Sequence, residues 1–158
     1  MVSITNTNKY TEIGDFLVSK LKPDRESGNR KTVFDGEIKP VPTISEYLNR
    51  IMEGISEDED YHWCIPVFLI YLKRIKDNGI ILTEYNIHRL MLTSILIAVK
   101  YWEDDYEFNE ETFIKISGVR NETELYNLQI EFLVTINWKL FIEKIDYENM
   151  DLFYMTLF

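Results

Sequence analysis

TEYNIHRLMLTSILIAVKYWEDD, residues 83–105, decides how the rest of the chain is read. From Ile87 to Trp102 it is apolar on nearly every side. Such a helix belongs at the centre of a domain, with other helices wrapped about it. The run is too short, and too interrupted by Thr93, Ser94 and Lys100, to span a membrane. Thr93, Ser94 and Ala98 are small and let neighbouring helices come close. Thr83 is expected to cap the start of this helix, with Glu84 favourable near the positive end of its dipole. Lys100 stands alone between Arg89 and Glu103 as a charge, in the last turn, where a cation suits the dipole. Its ammonium must emerge at the surface there.

Further helices can be read on both sides. Thr43-x-x-Glu46 is a capping box that opens a helix with Ile44, Tyr47, Leu48, Ile51, Met52 and Ile55 on one face. A second helix spans roughly Tyr61 to Ile75, with Pro66 in its first turns and Asn78-Gly79 as its stop. The central stretch is the third. A short fourth helix is expected between an Asn109 cap and Gly118. A fifth runs from Glu122 to about Ile136, capped by Asn121, with Leu125, Leu128, Phe132, Leu133 and Ile136 on its apolar side. Upstream, residues 9–21 read as a short helix in which Gly14 is out of place, and residues 22–32 as a linker. Val33, Phe34 and Ile38 are expected to tuck under the domain. Downstream, IDYENMDLFYMTLF reads as a last amphipathic helix. Nothing alternates with the period of a strand. The fold class is therefore all-α.

Bulk composition narrows the function. The 158 residues are most simply one domain, carry a net charge of −10 and have a pI near 4.7. That balance lacks the basic footprint of sequence-independent nucleic-acid binding and fits a basic partner surface. The single cysteine, Cys64, excludes a disulfide framework and suits a reducing compartment, so the cytoplasm or nucleus is expected. The first residues have no basic start followed by an apolar run, so no signal peptide is read. His62-Trp63-Cys64 is too isolated to hold a metal, which needs three or four ligands. The sequence offers no Gly-rich phosphate loop and no nucleophile with a nearby base. No catalytic residue, cofactor or metal is expected.

Particular residues go further than the helix count. VFDGEIKPVPTISEYLNRIM (33–52), YLKRI (71–75), IHRLMLTSILIAVKYWEDD (87–105) and FIKISGVRNETELYNLQIEFLVTINWKL (113–140) follow one another in order. Together they resemble the P-type or U-type cyclins, the phosphate-pathway-like cyclins, over about two thirds of the chain. The resemblance implies a single five-helix cyclin box around a buried central third helix, at residues 33–140. Residues 1–32 would be an N-terminal extension and residues 141–158 a C-terminal helix. It also implies a regulatory subunit that binds and activates a cyclin-dependent protein kinase by holding the kinase's αC helix in its active position.

The same resemblance assigns a kinase-binding face. The family's lysine at the end of the third helix falls on Lys100. Its usual glutamate on the fifth falls on Gln129, a departure, while Glu131 matches a second acidic position. Tyr101, Leu133, Trp138 and Leu140 fall where cyclins offer apolar contacts. The Met-Arg-Ala-Ile-Leu docking motif of cell-cycle cyclins is absent, so substrate docking of that kind is not expected. The alternative is a cyclin-fold adaptor without kinase activation. A DNA-binding member of the fold is disfavoured by the acidic balance.

Overall fold

Ile87 to Val99 is closed off from solvent at every position except Arg89, and six further helices account for most of the other described residues. The computed structural model describes residues 4–23, 32–36, 40–56, 61–103 and 110–158. Its helices are α1 (Ile4–Lys20), α2 (Ile44–Ser56), α3 (Cys64–Asp77), α4 (Ile87–Trp102), α5 (Glu110–Ser117), α6 (Glu122–Thr135) and α7 (Lys144–Leu157). No strand occurs among the described residues. Helix α4 is the expected central element, the third of the five read as a unit. It packs against α2, α3 and α6. The hydroxyls of Thr93 and Ser94 face this packing yet cost nothing unpaired, because each donates within the helix, to the Arg89 carbonyl at 2.6 Å and the Met91 carbonyl at 2.8 Å.

Helix ends follow local chemistry. At α2 the Glu46 amide donates to Thr43 Oγ1 at 3.1 Å, and the Thr43 amide donates back to Glu46 at 3.2 Å, which is the expected capping box. At α6 the Glu124 amide donates to Asn121 Oδ1 at 2.9 Å. Pro66 is the third residue of α3, where its missing N–H is no loss. One expected start needs correction. Helix α4 begins at Ile87, not Thr83, because Asn86 Oδ1 accepts the Thr83 amide at 2.9 Å and Thr83 Oγ1 accepts the Tyr85 amide at 3.2 Å. Thr83 therefore opens a side-chain-braced turn that precedes the helix.

Of the residues expected to tuck beneath the domain, Phe34 is fully buried and meets Phe132 edge-on at 6.2 Å, whereas Val33 is exposed. Ile38 lies outside the described residues, as do the acidic stretches 57–60 and 104–109 with the Asn109 cap. Cys64 is buried at the start of α3, and desolvation pushes its thiol well above the ordinary range, so it is a packing residue. Helix α7 lies along α3 and is kinked at Phe153.

Helix α1 explains Gly14. It docks across α2 so closely that a Cβ at Gly14 would overlap Ser45 Oγ and stand 2.9 Å from Ser45 Cα. Gly14→Ala is expected to destabilise the chain by about 1–3 kcal/mol through overpacking. In a helix that lay free of α2, the same change would stabilise by about 0.5–1 kcal/mol. The sign of the shift in urea midpoint separates the two.

Candidate functional site

At the far end of α4 the central helix reaches the surface. Lys100 is exposed there, and its Nζ donates to Gln129 Oε1 at 3.0 Å. Gln129 is half-buried on α6 and its Nε2 donates to the Leu125 carbonyl at 3.1 Å, so the amide is oriented with its oxygen toward the lysine. The structure thus joins two candidates that stand 29 residues apart in sequence. Since Gln129 is neutral, the pair itself carries one positive charge.

Apolar side chains on the same two helices and just after α6 are also partly or largely exposed. Tyr101 is 45% exposed on α4 and stacks edge-on against Trp102 at 5.0 Å. On α6, Leu133 lies one turn beyond Gln129, half-buried and packed on the core. Tyr126 and Val134 on the same helix are exposed, and so are Trp138 and Phe141 just after it. Tyr126, Val134 and Phe141 escape a reading of the sequence that looks for one apolar stripe. The usable signal is that α6 has apolar residues on two sides. Leu125, Leu128 and Phe132 point into the core, and Tyr126, Ile130, Leu133 and Val134 take the neighbouring arc.

The segment after α6 is held from below. The Trp138 amide donates to the Leu133 carbonyl at 2.8 Å and the Asn137 amide to the Val134 carbonyl at 3.0 Å, closing the helix end in a Schellman motif. Asn137 and Trp138 both have left-handed backbones, with φ of 56° and 59°. Asparagine accepts this readily; a bulky tryptophan does not. Two side chains then clamp the chain beyond. Tyr71 donates its hydroxyl to the Leu140 carbonyl at 2.8 Å and accepts from Trp102 Nε1 at 2.9 Å. Burial pushes the Tyr71 phenol up, so it remains a donor. Arg74 donates to the Lys139 carbonyl at 2.6 Å and the Phe141 carbonyl at 3.0 Å. Leu140 is half-buried against the core, while the aromatic Trp138 and Phe141 face outward, at 59% and 60% exposure.

Glu131 is not brought to this face. It is exposed two residues past Gln129, about 200° round the helix, and lines a separate hollow with Asp35, Asn78, Asn86 and Thr135. Among the described residues no three His, Cys, Asp or Glu side chains gather as a metal site would require.

Comparison with known proteins agrees with the helical order. The family model described as Cyclin matches residues 3–140. Cyclin-U4-3 of Arabidopsis thaliana is 32% identical over 143 residues, which cover 89% of this chain and 59% of that protein. Cyclin-U4-1 of the same plant is 28% identical over 152 residues, 89% of this chain and 73% of the relative. Cyclin-P3-1 of Oryza sativa subsp. japonica is 27% identical over 127 residues, 80% of this chain and 50% of its own length. The chain thus spans between half and three quarters of these relatives. With an all-helical box wrapped round α4 and a family match over most of its length, this chain belongs to the cyclin family.

Proposed function

We propose that the chain is the regulatory subunit of a cyclin-dependent protein kinase and that it binds through the face built on Lys100 and Gln129. Cyclins are regulatory proteins in general. The observation that carries the finer reading is the Lys100–Gln129 hydrogen bond, with Tyr101 and Tyr126 exposed on the same two helices and Trp138 and Phe141 exposed just after α6. Exposed aromatic side chains around a polar centre match the make-up of binding hot spots. A surface lysine complements the carbonyl groups and carboxylates of a partner helix's C-terminal end. Such a contact activates a kinase by fixing its αC helix, so that the kinase's own Lys–Glu pair and magnesium site assemble. The chain contributes position and takes no part in phosphoryl transfer. Glu131, on another side of α6, is left out of this contact.

Activity measurements test the reading. The purified chain alone is expected to transfer no phosphate from ATP. Recovered from its own cell with a tag, it is expected to bring a protein kinase with it, and adding the chain to that kinase should raise turnover. A kinase that co-purifies but runs equally fast without the chain would leave an adaptor, and recovery of no kinase would remove the proposal.

A further inference from the structure

We propose that the outer side of α7, together with the groove between α7 and α3, binds a basic amphipathic helix of another protein. Five of the fourteen residues of α7 are apolar and exposed: Ile145, Leu152, Phe153, Met155 and Leu157, at 40% to 70%. The core is served by other side chains of the helix, since Met150 and Tyr154 are buried and Tyr147 packs against it. At about 100° per residue, Ile145 and Leu152 share one side of α7, roughly opposite Met150 and Tyr154. A single exposed leucine means little, but apolar residues gathered on the side of a helix that faces away from its core mark an interaction site.

The surface beside this side is concave. A groove of about 350 Å³ runs between α3 and α7, with Ile70, Met150 and Leu157 as its apolar lining. Asn149 also lines it and stands about 40° from Ile145 round the helix, so groove and outer side adjoin. The cations in the groove wall are engaged. Lys73 pairs with Asp77 at 2.6 Å, and Arg74 donates to the carbonyls of Lys139 and Phe141. Asp146, in the same wall, makes no ion pair among the described residues. The shape suits a helix laid along α7, with its apolar anchors entering the groove.

Charge chooses the occupant. From Glu143 to Leu157 the acidic residues are Glu143, Asp146, Glu148 and Asp151, all exposed, against one cation, Lys144. Asp146 lies about 100° to one side of Ile145 and Glu148 about 60° to the other, so carboxylates border the apolar strip on both flanks. Glu148 is met only by Lys144, at 3.8 Å across an exposed pair. A second copy of the chain would bring the same four carboxylates, and a net charge of −10, against this face. An anionic lipid surface meets the same repulsion. A helix whose apolar stripe is flanked by lysine or arginine answers both features, covering Ile145 and Leu152 while its cations sit against the acidic borders. This surface is built on α3 and α7, and the proposed kinase contact on α4 and α6, so neither proposal rests on the other.

Fluorescence anisotropy on the full chain tests this with three labelled synthetic peptides of α7's length. The first is a leucine–lysine helix with its leucines on one side. The second has the same composition in an order that spreads leucine round the helix, and the third has glutamate in place of lysine. The first is expected to bind saturably, and the other two at least about tenfold more weakly. Ile145→Ser combined with Leu152→Ser should weaken binding at least about tenfold while melting as the wild type does, because both side chains are exposed. Asp146→Asn should weaken it about threefold and flatten its salt dependence. Absence of saturable binding, equal affinity for the reordered peptide, or wild-type binding in the doubly changed chain would each overturn the proposal. So would any other occupant that the double change releases: a second copy, read by sedimentation; phosphatidylcholine–phosphatidylserine vesicles, read by co-flotation; or the kinase itself, a result that would leave the regulatory-subunit reading standing.

Discussion

Lys100→Glu is expected to abolish kinase binding in a chain that still folds. Lys100 is exposed at the end of α4, so the core loses nothing when its ammonium goes. The local bond to Gln129 is replaceable, because an amide that accepts from lysine can rotate and donate to a carboxylate. A glutamate at the negative end of the helix dipole costs about 0.3–1 kcal/mol at an exposed position, a shift of only a few degrees in melting. The interface loses much more. A charge-assisted hydrogen bond that becomes partly desolvated contributes about 1.5–3 kcal/mol, and each 1.4 kcal/mol is tenfold in affinity. Reversing the charge adds repulsion from the same acceptors, so the loss should exceed about a hundredfold. Gln129→Ala should act in the same direction more weakly, since a neutral amide makes weaker bonds than an ion. Titration of a labelled kinase against the three proteins, with circular dichroism melting beside it, decides the point. Wild-type affinity in a folded Lys100→Glu chain would take Lys100 out of the interface.

How much of this was legible before any coordinates depends on the kind of signal. The burial of α4 was plain, because apolar residues all round a helix have no other resting place. The caps of α2 and α6 were plain for the same local reason: their hydrogen bonds lie within four residues. Thr83 misled because Thr83 and Asn86 are both good capping residues three positions apart. Only the geometry shows Asn86 reaching back to the Thr83 amide, which starts the helix later. Gly14 was read as a weakness in α1, and the reason for it, the α2 backbone beneath, is a contact 31 residues away that no local pattern encodes. Lys100 and Gln129 were singled out through a family resemblance, and the structure joins them by a hydrogen bond that no local pattern encodes. Glu131 came from the same comparison, but two residues along a helix is just over half a turn, and it faces elsewhere. Phe141 and Tyr126 are exposed because nothing covers them. A sequence carries no mark for that, since the same side chains are good core residues.

Trp138 gives the second large effect, and it separates backbone from side chain. Held at φ 59°, a bulky L-residue is disfavoured by about 1–2 kcal/mol, and such strain persists where the surroundings impose it. Here they do: the Schellman bonds fix the chain before Trp138, and Tyr71 and Arg74 fix it after. The side chain recovers little from the core, because it is 59% exposed. Trp138→Ala removes what packing there is and keeps a Cβ in the left-handed region, so it should destabilise. Trp138→Gly loses the same packing but relieves the backbone, and is expected to be about 1 kcal/mol more stable than Trp138→Ala. Kinase affinity should ignore that difference. Both variants lose an outward tryptophan of the kind that dominates interfaces, with truncation costing about 2 kcal/mol or more, or about thirtyfold in affinity. Urea midpoints of the two variants read the backbone, and kinase titration reads the ring. If glycine and alanine unfold together, the left-handed conformation is not a source of strain. If both bind kinase as the wild type does, the strained tryptophan faces some other partner, and the contact proposed round Lys100 ends short of residue 138.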